Sequence, residues 1–251
     1  MKPYIYISCC SFGKDSIATI LLALENNEPI DKVLYVEVMF DNDNNISGEY
    51  PIHRDWIYST AIPRLQKLGL EVIVLRAAKD YVSIFKTVRK RGKYEGKMYG
   101  FPIGGKCIIN SDCKMKPIRT FYKSLRKNYN IIEYVGIAAD EFKRLRRLSP
   151  NKVSLLAKYG ICERDAYTIC KKYGLLSPLY AVTNRGGCWF CMNNSIKELS
   201  FIRESYPTLW SELNGLSKLE GLCSYGFKYG KTLGQVEKLI DNYRSQLNLF
   251  Y

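Results

Sequence analysis

Residues 8–16 read SCCSFGKDS, and this short stretch holds what an anion-binding turn needs. Gly13 lets the main chain approach a bound group closely, Ser11 and Ser16 offer hydroxyl donors, and Lys14 adds a positive charge. The spacing is not that of the common nucleoside-triphosphatase loop, G-x-x-x-x-G-K-[ST]. No glycine stands where that pattern requires one before Gly13, and Asp15 separates Lys14 from Ser16. An aspartate does not favour a phosphate directly, so Asp15 either caps a helix or helps to hold a magnesium ion.

Two further groups of side chains could do chemistry. Asp140 and Glu141 are followed by Lys143, Arg144, Arg146 and Arg147. The acids could hold Mg²⁺ or position a substrate, and the basic residues could neutralise phosphates. In GGCWFC (186–191), the spacing of Cys188 and Cys191 lets two thiolates ligate one ion or cluster, or form a redox dithiol. A metal site needs two more ligands. The chain has one histidine, His53, so these should be cysteines, and Cys107 and Cys113 are the candidates. Nine cysteines in all, an odd number, read as thiols or metal ligands rather than a disulfide framework. Cys9 and Cys10 read as core or loop thiols, and Cys162 and Cys170 as packing. A lone histidine disfavours a Ser-His-Asp triad and excludes a multi-histidine metal site.

The net charge of +14 is concentrated in residues 86–147, which carry 17 Lys/Arg against 5 Asp/Glu. That segment faces something anionic, whether nucleotide phosphates, RNA or DNA, unless it is a merely solvated basic surface. Trp189 and Phe190 are expected in the core. No apolar run approaches a membrane span and the start lacks a signal-peptide pattern, so a cytoplasmic protein is expected.

The elements that must position these residues follow from hydrophobic period. YIYIS (4–8), DKVLYVEVMF (31–40), EVIVLRA (71–77) and IIEYVGI (131–137) read as buried strands. Helices are expected over 16–26, over 51–69 with a kink at Pro63, over 116–127, and over 232–247 with Leu233, Val236, Ile240, Tyr243 and Leu247 in register. This alternation predicts an α/β fold: an open parallel sheet with helices on both faces, binding its ligand at the strands' carboxyl ends. The loop between the first strand and the first helix lies there. Residues 88–112 read as a long loop, and only helical patterns follow residue 150. The expected division is an α/β nucleotide domain over 1–150 and a cysteine-containing helical portion over 151–251.

SFGKDS resembles the S-[GF]-G-K-D-S loop of the PP-loop ATP pyrophosphatases, and within them the phosphoadenosine phosphosulfate (PAPS) reductase-like branch. SGEYP (47–51), with Gly48, is similar to that branch's T-G-x-x-[FL]-P-E segment, although Ile52 replaces the glutamate. GIAADEFKR (136–144) is similar to its G-[IL]-R-A-D-E-S-x-R segment: Asp140, Glu141 and Arg144 match, while Ala138 and Phe142 differ. The resemblance covers about the first 190 residues. It implies a Rossmann-like fold of the HUP type, with ATP or a related adenine nucleotide held by Ser11, Phe12, Gly13, Lys14, Asp15 and Ser16 and by Gly48 and Arg144. Lys14, Asp15, Asp140 and Glu141 are then the catalytic candidates, with Mg²⁺. It also implies a [4Fe–4S] cluster on Cys107, Cys113, Cys188 and Cys191, ahead of zinc, although the cluster-bearing reductases carry an adjacent Cys-Cys pair where this chain has Cys107-x5-Cys113. The activity implied is adenylation of a substrate with release of pyrophosphate, for sulfur or nitrogen transfer, on a nucleic acid bound by 86–147 and with a sulfur-donor protein as partner. The alternatives are a sulfonucleotide reductase and a non-catalytic nucleotide or nucleic-acid binding module. EGLCSYG (220–226) does not match the reductases' C-terminal E-C-G-L-H segment, which leaves Cys223 as an inert thiol or a persulfide carrier.

Overall fold

The structure is a computed structural model that describes residues 1–102 and 107–248, the side chains of 247 and 248 excepted. The chain begins with β1 (Tyr4–Cys9), α1 (Lys14–Glu25), β2 (Lys32–Val36), a hairpin of β3 (Met39–Asp41) and β4 (Ile46–Ser47), α2 (Pro51–Trp56), α3 (Ile62–Lys67) and β5 (Glu71–Leu75). It continues through α4 (Tyr81–Phe85), β6 (Met98–Gly100), α5 (Lys116–Leu125), β7 (Asn130–Val135), α6 (Phe142–Leu145), β8 (Lys152–Val153), α7 (Leu155–Lys158) and α8 (Glu163–Lys172). The last elements are α9 (Ile196–Ser205), α10 (Pro207–Ser217), β9 (Leu222–Ser224), β10 (Gly226–Lys228), β11 (Lys231–Thr232) and α11 (Leu233–Asn248).

These elements form two compact units: Met1–Glu37, Pro51–Arg76 and Met115–Gly186 make the first, and Val38–Tyr50, Ala77–Lys114 and Gly187–Tyr251 the second. Each unit draws on chain from both sides of residue 150.

The first unit is an α/β fold around a five-stranded sheet in the order β5-β2-β1-β7-β8, with every pairing parallel. Side chains alternate across a strand. Ile5, Ile7 and Cys9 of β1, with Leu34, Val36 and Ile131, therefore pack against Ile118 and Tyr122 of α5 on one face. Val33 and Tyr35 pack on the other face against Ile17, Ile20 and Leu21 of α1 and Ala166 and Cys170 of α8. The strand order runs outward from β1 in both directions, so the carboxyl ends of β1 and β7 flank the point where the order reverses. Ligands of open α/β sheets bind at such a crevice.

Several expectations are refined. The run 31–40 is two strands: β2 ends at Val36, and Met39–Asp41 pairs antiparallel with Ile46–Ser47 in the second unit. The break falls at Glu37, whose fully buried carboxylate accepts hydrogen bonds from Arg54 (2.7 Å), Tyr58 (2.7 Å) and Arg76 (2.8 Å). A buried charge needs such partners, and they lie off the sheet. The helix expected over 51–69 is α2 and α3 joined by a π-helical turn at Ile57–Ala61, immediately before Pro63. The ring removes one N–H from the helical ladder, and the wider turn absorbs the mismatch. Residues 88–112 are not all loop, since Met98–Gly100 pairs with Leu222–Ser224. After residue 150 the chain adds short strands to its helices. β8 extends the main sheet, and β10 pairs with β11. These strands span two or three residues each, too short to show a period of two. Leu233, Val236 and Ile240 of α11 are buried as their spacing predicts. Leu247 lies outside the described side chains, and Lys106 of the basic segment outside the described residues.

Among the described residues, no helix is long and apolar enough to cross a membrane.

Candidate functional site

The turn leaving β1 leads directly into α1, with Gly13 as the residue preceding the first helical turn and no side chain capping it. The left-handed backbone conformation falls on Phe12 (φ 56°), not on the glycine, whose φ is −73°. Such a φ is costly for an aromatic residue and persists where packing enforces it. Here the Phe12 ring is 1 % exposed and meets Tyr35 edge-on at 5.0 Å and Trp56 at 6.5 Å. Gly13 instead leaves room for Tyr180, since a Cβ there would stand 3.3 Å from the Tyr180 hydroxyl. That hydroxyl accepts a hydrogen bond from the Lys14 amide at 2.9 Å. Ser16 Oγ donates to the Gly13 carbonyl (2.9 Å) and accepts from the Ser11 amide (3.3 Å), which closes the turn. Ser11 itself is exposed, and among the described residues no acceptor pairs with the N–H groups of Gly13, Asp15 or Ser16. Unpaired amides at the start of a twelve-residue helix, reinforced by its dipole, attract an anion.

Charge is concentrated beside that terminus. Lys14 Nζ pairs with Asp15 (2.9 Å) and with Glu163 of α8 (3.2 Å). Burial works to lower the lysine's affinity for its proton, but these two carboxylates outweigh it and hold its pKa above the ordinary value. Asp15 is pushed up, first by burial and then by Glu163 and Glu141, against the pull of Lys14. Glu141, reached from the end of β7, accepts the Ala138 amide (3.1 Å) and binds Arg144 through two contacts of 2.6 and 2.8 Å. Asp140 is exposed. The two sequence segments are locked together at Gly136. A Cβ there would lie 2.7 Å from the Ser16 nitrogen and 2.8 Å from the Asp15 carbonyl carbon. The first unit thus brings together Ser11–Ser16, Glu141 and Arg144, with Asp140 on the same turn. Gly48 lies in the second unit. It is buried, its N–H bonds the Val38 carbonyl (2.7 Å), and its carbonyl accepts from Trp189 (2.9 Å).

Sequence reasoning did not find Tyr180, Glu163, Gly136 or His53 as parts of this site. The His53 ring is 1 % exposed, its Nδ1 shares a hydrogen bond with Ser177 Oγ (2.8 Å), and it also bonds the Ser11 main chain. Burial depresses its pKa to about 4, and the Ser11 contact opposes that only in part. A neutral imidazole therefore buttresses the turn between β1 and α1. Cys170 donates to the Lys14 carbonyl at 3.1 Å.

In the second unit the cysteine segment is fastened to the β3–β4 hairpin. Trp189 Nε1 donates to the Ser47 carbonyl (2.9 Å), and Glu49 bridges antiparallel to Cys188. Trp189 and Phe190 are buried among Phe40 and Tyr81, as core. Cys188 lies within electrostatic reach of both Cys191 and Cys107, and Cys113 within reach of Cys107. Burial, then Glu49 and Cys191, raises the Cys188 thiol well above its ordinary value, and burial with Asp112 and Asp80 pushes Cys113 up to about 12. Among the described residues no three of His, Cys, Asp or Glu are placed to hold a metal ion. The donors share one neighbourhood without a closed ligand sphere. The Tyr81 hydroxyl fits an incoming sulfur-rich group. It is buried, it has no hydrogen-bond partner among the described residues, and it lies near Cys191, Cys107 and Cys188. Cys223 lies on the paired strand β9. None of the nine cysteines forms a disulfide.

No protein-family model matches the chain, and no curated protein matches it. Among solved structures it is similar to the U34-tRNA thiolase NcsA from Methanococcus maripaludis with its [4Fe-4S] cluster. The identity is 15 % over 95 % of this chain and 82 % of that one, with a TM-score of 0.42.

Proposed function

We propose that the protein binds ATP, or a related adenine nucleotide, at the turn leaving β1 and activates an acceptor by adenylation. The observation that carries this is the set of amides without an acceptor at the start of α1, at the sheet's reversal point, with Lys14 beside it. An acceptor oxygen attacks the α-phosphorus; the new P–O bond forms as the bond to the bridging oxygen breaks, and pyrophosphate takes the electron pair. The Gly13 and Asp15 amides and Lys14 stabilise charge on the leaving diphosphate, and positioning carries the step without a histidine base. Mg²⁺ would enter with the nucleotide and supply charge neutralisation at the phosphates; Asp15, Asp140 and Glu141 are the carboxylates beside it and do not by themselves form a ligand set. A sulfur or nitrogen nucleophile then displaces AMP from the acceptor. The basic segment 86–147 supports a nucleic acid as acceptor.

Cys107, Cys113, Cys188 and Cys191 would hold a [4Fe–4S] cluster, or zinc in its place, and a sulfur-donor protein would supply the nucleophile. The cluster, when bound, supplies a thiophilic site that can carry electrons or sulfur.

ATP–pyrophosphate exchange with added RNA or DNA, alongside calorimetric ATP binding, tests the reading. Exchange is expected in the wild type and a fall on the order of 10²-fold in Lys14→Ala, the scale of losing one group that stabilises developing charge. Absence of ATP binding, or unchanged exchange in Lys14→Ala, overturns it.

A further inference from the structure

The part of the basic segment in the second unit has a definite shape. Residues 87–99 run out and back as a ribbon: the Tyr99 amide donates to Thr87 (3.0 Å), Arg89 to Lys97 (2.9 Å) and Gly96 to Arg89 (3.0 Å). Gly92 (φ 85°) and Gly96 (φ 79°) take the left-handed conformations that close its tip. Arg89, Lys90, Arg91, Lys93 and Lys97 are all exposed along it, against Glu95 alone. Among the described ion pairs none involves any of these five cations, although paired cations occur elsewhere in the molecule. A ribbon this basic and this unpaired is matched to a polyanion.

At the foot of the ribbon is a pocket of about 210 Å³, walled by Phe85, Tyr94, Tyr99 and Phe101 with Arg89 and Cys223 at its border. The Arg89 guanidinium stands over the Tyr99 ring at 5.2 Å and the Tyr94 ring at 6.0 Å, and Lys93 stands over Tyr94 at 5.7 Å. Its volume is below the roughly 300–1,000 Å³ of sites for drug-sized ligands and suits one flat ring system. Aromatic walls beside a guanidinium are the surfaces on which bases stack.

We infer that this pocket receives one unstacked base of a single-stranded nucleic acid whose phosphates run along the 87–99 ribbon. A duplex keeps its bases stacked and paired, so a concave aromatic site is reached only by a single strand or an extruded nucleotide. The inference deepens the nucleic-acid acceptor of the proposed function by naming where the acceptor is held, and its test uses no ATP.

Fluorescence anisotropy on the full-length protein uses labelled oligomers of about twelve nucleotides: single-stranded RNA, single-stranded DNA, duplex DNA, and an abasic strand with the same number of phosphates. At least one single strand is expected to bind about tenfold or more tighter than the abasic strand and the duplex. Which of RNA and DNA binds better identifies the polymer. Tyr94→Leu and Tyr99→Leu are expected to weaken that binding by roughly 5- to 150-fold, the span for losing one base stack. Arg89→Gln, at an exposed position, is expected to lower the slope of log K against log salt by about 0.7 as well as the affinity. Equal affinity for the abasic strand, unchanged binding in both folded tyrosine variants, or no binding at all overturns the inference. A protein that passes this test but binds no ATP loses only the adenylation reading.

Discussion

Acidification offers an unusually clean probe of this molecule, because His53 is its one histidine. The ring is buried and its pKa is depressed from the ordinary 6.5 to about 4, with burial as the main cause. In the unfolded chain the same ring titrates near 6.5. The neutral form is therefore native. Its contribution to stability is complete above about pH 6.5, is lost as the pH falls towards 4, and levels out below. With those two values, the linkage relation gives a loss of about 2 kcal/mol between pH 7.5 and pH 5. That is a large fraction of the roughly 5–15 kcal/mol that holds a typical domain together. Urea unfolding at half-unit steps across this range should show the decline, and His53→Asn should flatten it where carboxylates do not yet titrate. The imidazole proton resonance, single by composition, should titrate near 4 in the folded protein. A midpoint near 6.5 would refute the argument, since the ring would then be hydrated. Because the ring also bonds the Ser11 main chain, the turn itself should change only as the pH approaches 4, where the folded ring takes up its proton.

Gly136→Ala places a methyl group about 0.8 Å inside a normal contact of roughly 3.5 Å with Ser16. Overpacking of this kind should cost about 1–3 kcal/mol in urea unfolding and displace the start of α1, with weaker ATP binding by calorimetry; an unperturbed variant would show that Gly136 is not the clamp described. Tyr81→Phe removes a buried hydroxyl that has no partner, so the metal-free protein should gain about 1 kcal/mol of unfolding free energy. After reconstitution with iron and sulfide the same variant should be less stable than wild type. Destabilisation in the metal-free state would mean that the hydroxyl is already satisfied.

The parallel sheet was legible because buried strands announce themselves. Ile5, Ile7 and Cys9 alternate with Tyr6 and Ser8; the first set packs against α5, and Tyr6 packs on the other face with Ala23 of α1 and Leu155 of α7. The turn from β1 into α1 was legible because serine, glycine and lysine are contiguous there between a strand pattern and a helix pattern. The rest of its site is assembled at long range. Glu163 reaches Lys14 across 149 residues and Tyr180 across 166, and no local pattern marks either. Gly48 packs against the Val38 carbonyl and the Phe190 ring, neighbours that its own sequence segment does not announce. The end of β2 was misread because 31–40 is apolar on both sides of Glu37. Only the arrival of Arg54 and Arg76 makes that carboxylate a terminus. The 87–99 ribbon escaped notice because its pairing rests on main-chain bonds between exposed basic residues, with no buried face to impose a period of two.

The anion turn and the four thiols belong to units each woven from three separate stretches of one chain. No single cut releases either as a continuous fragment. Shuffling by exon-like exchange, limited proteolysis or subcloning would destroy both together. A lineage carrying this scaffold inherits the turn and the thiols together, and can lose either alone only by point substitution in place.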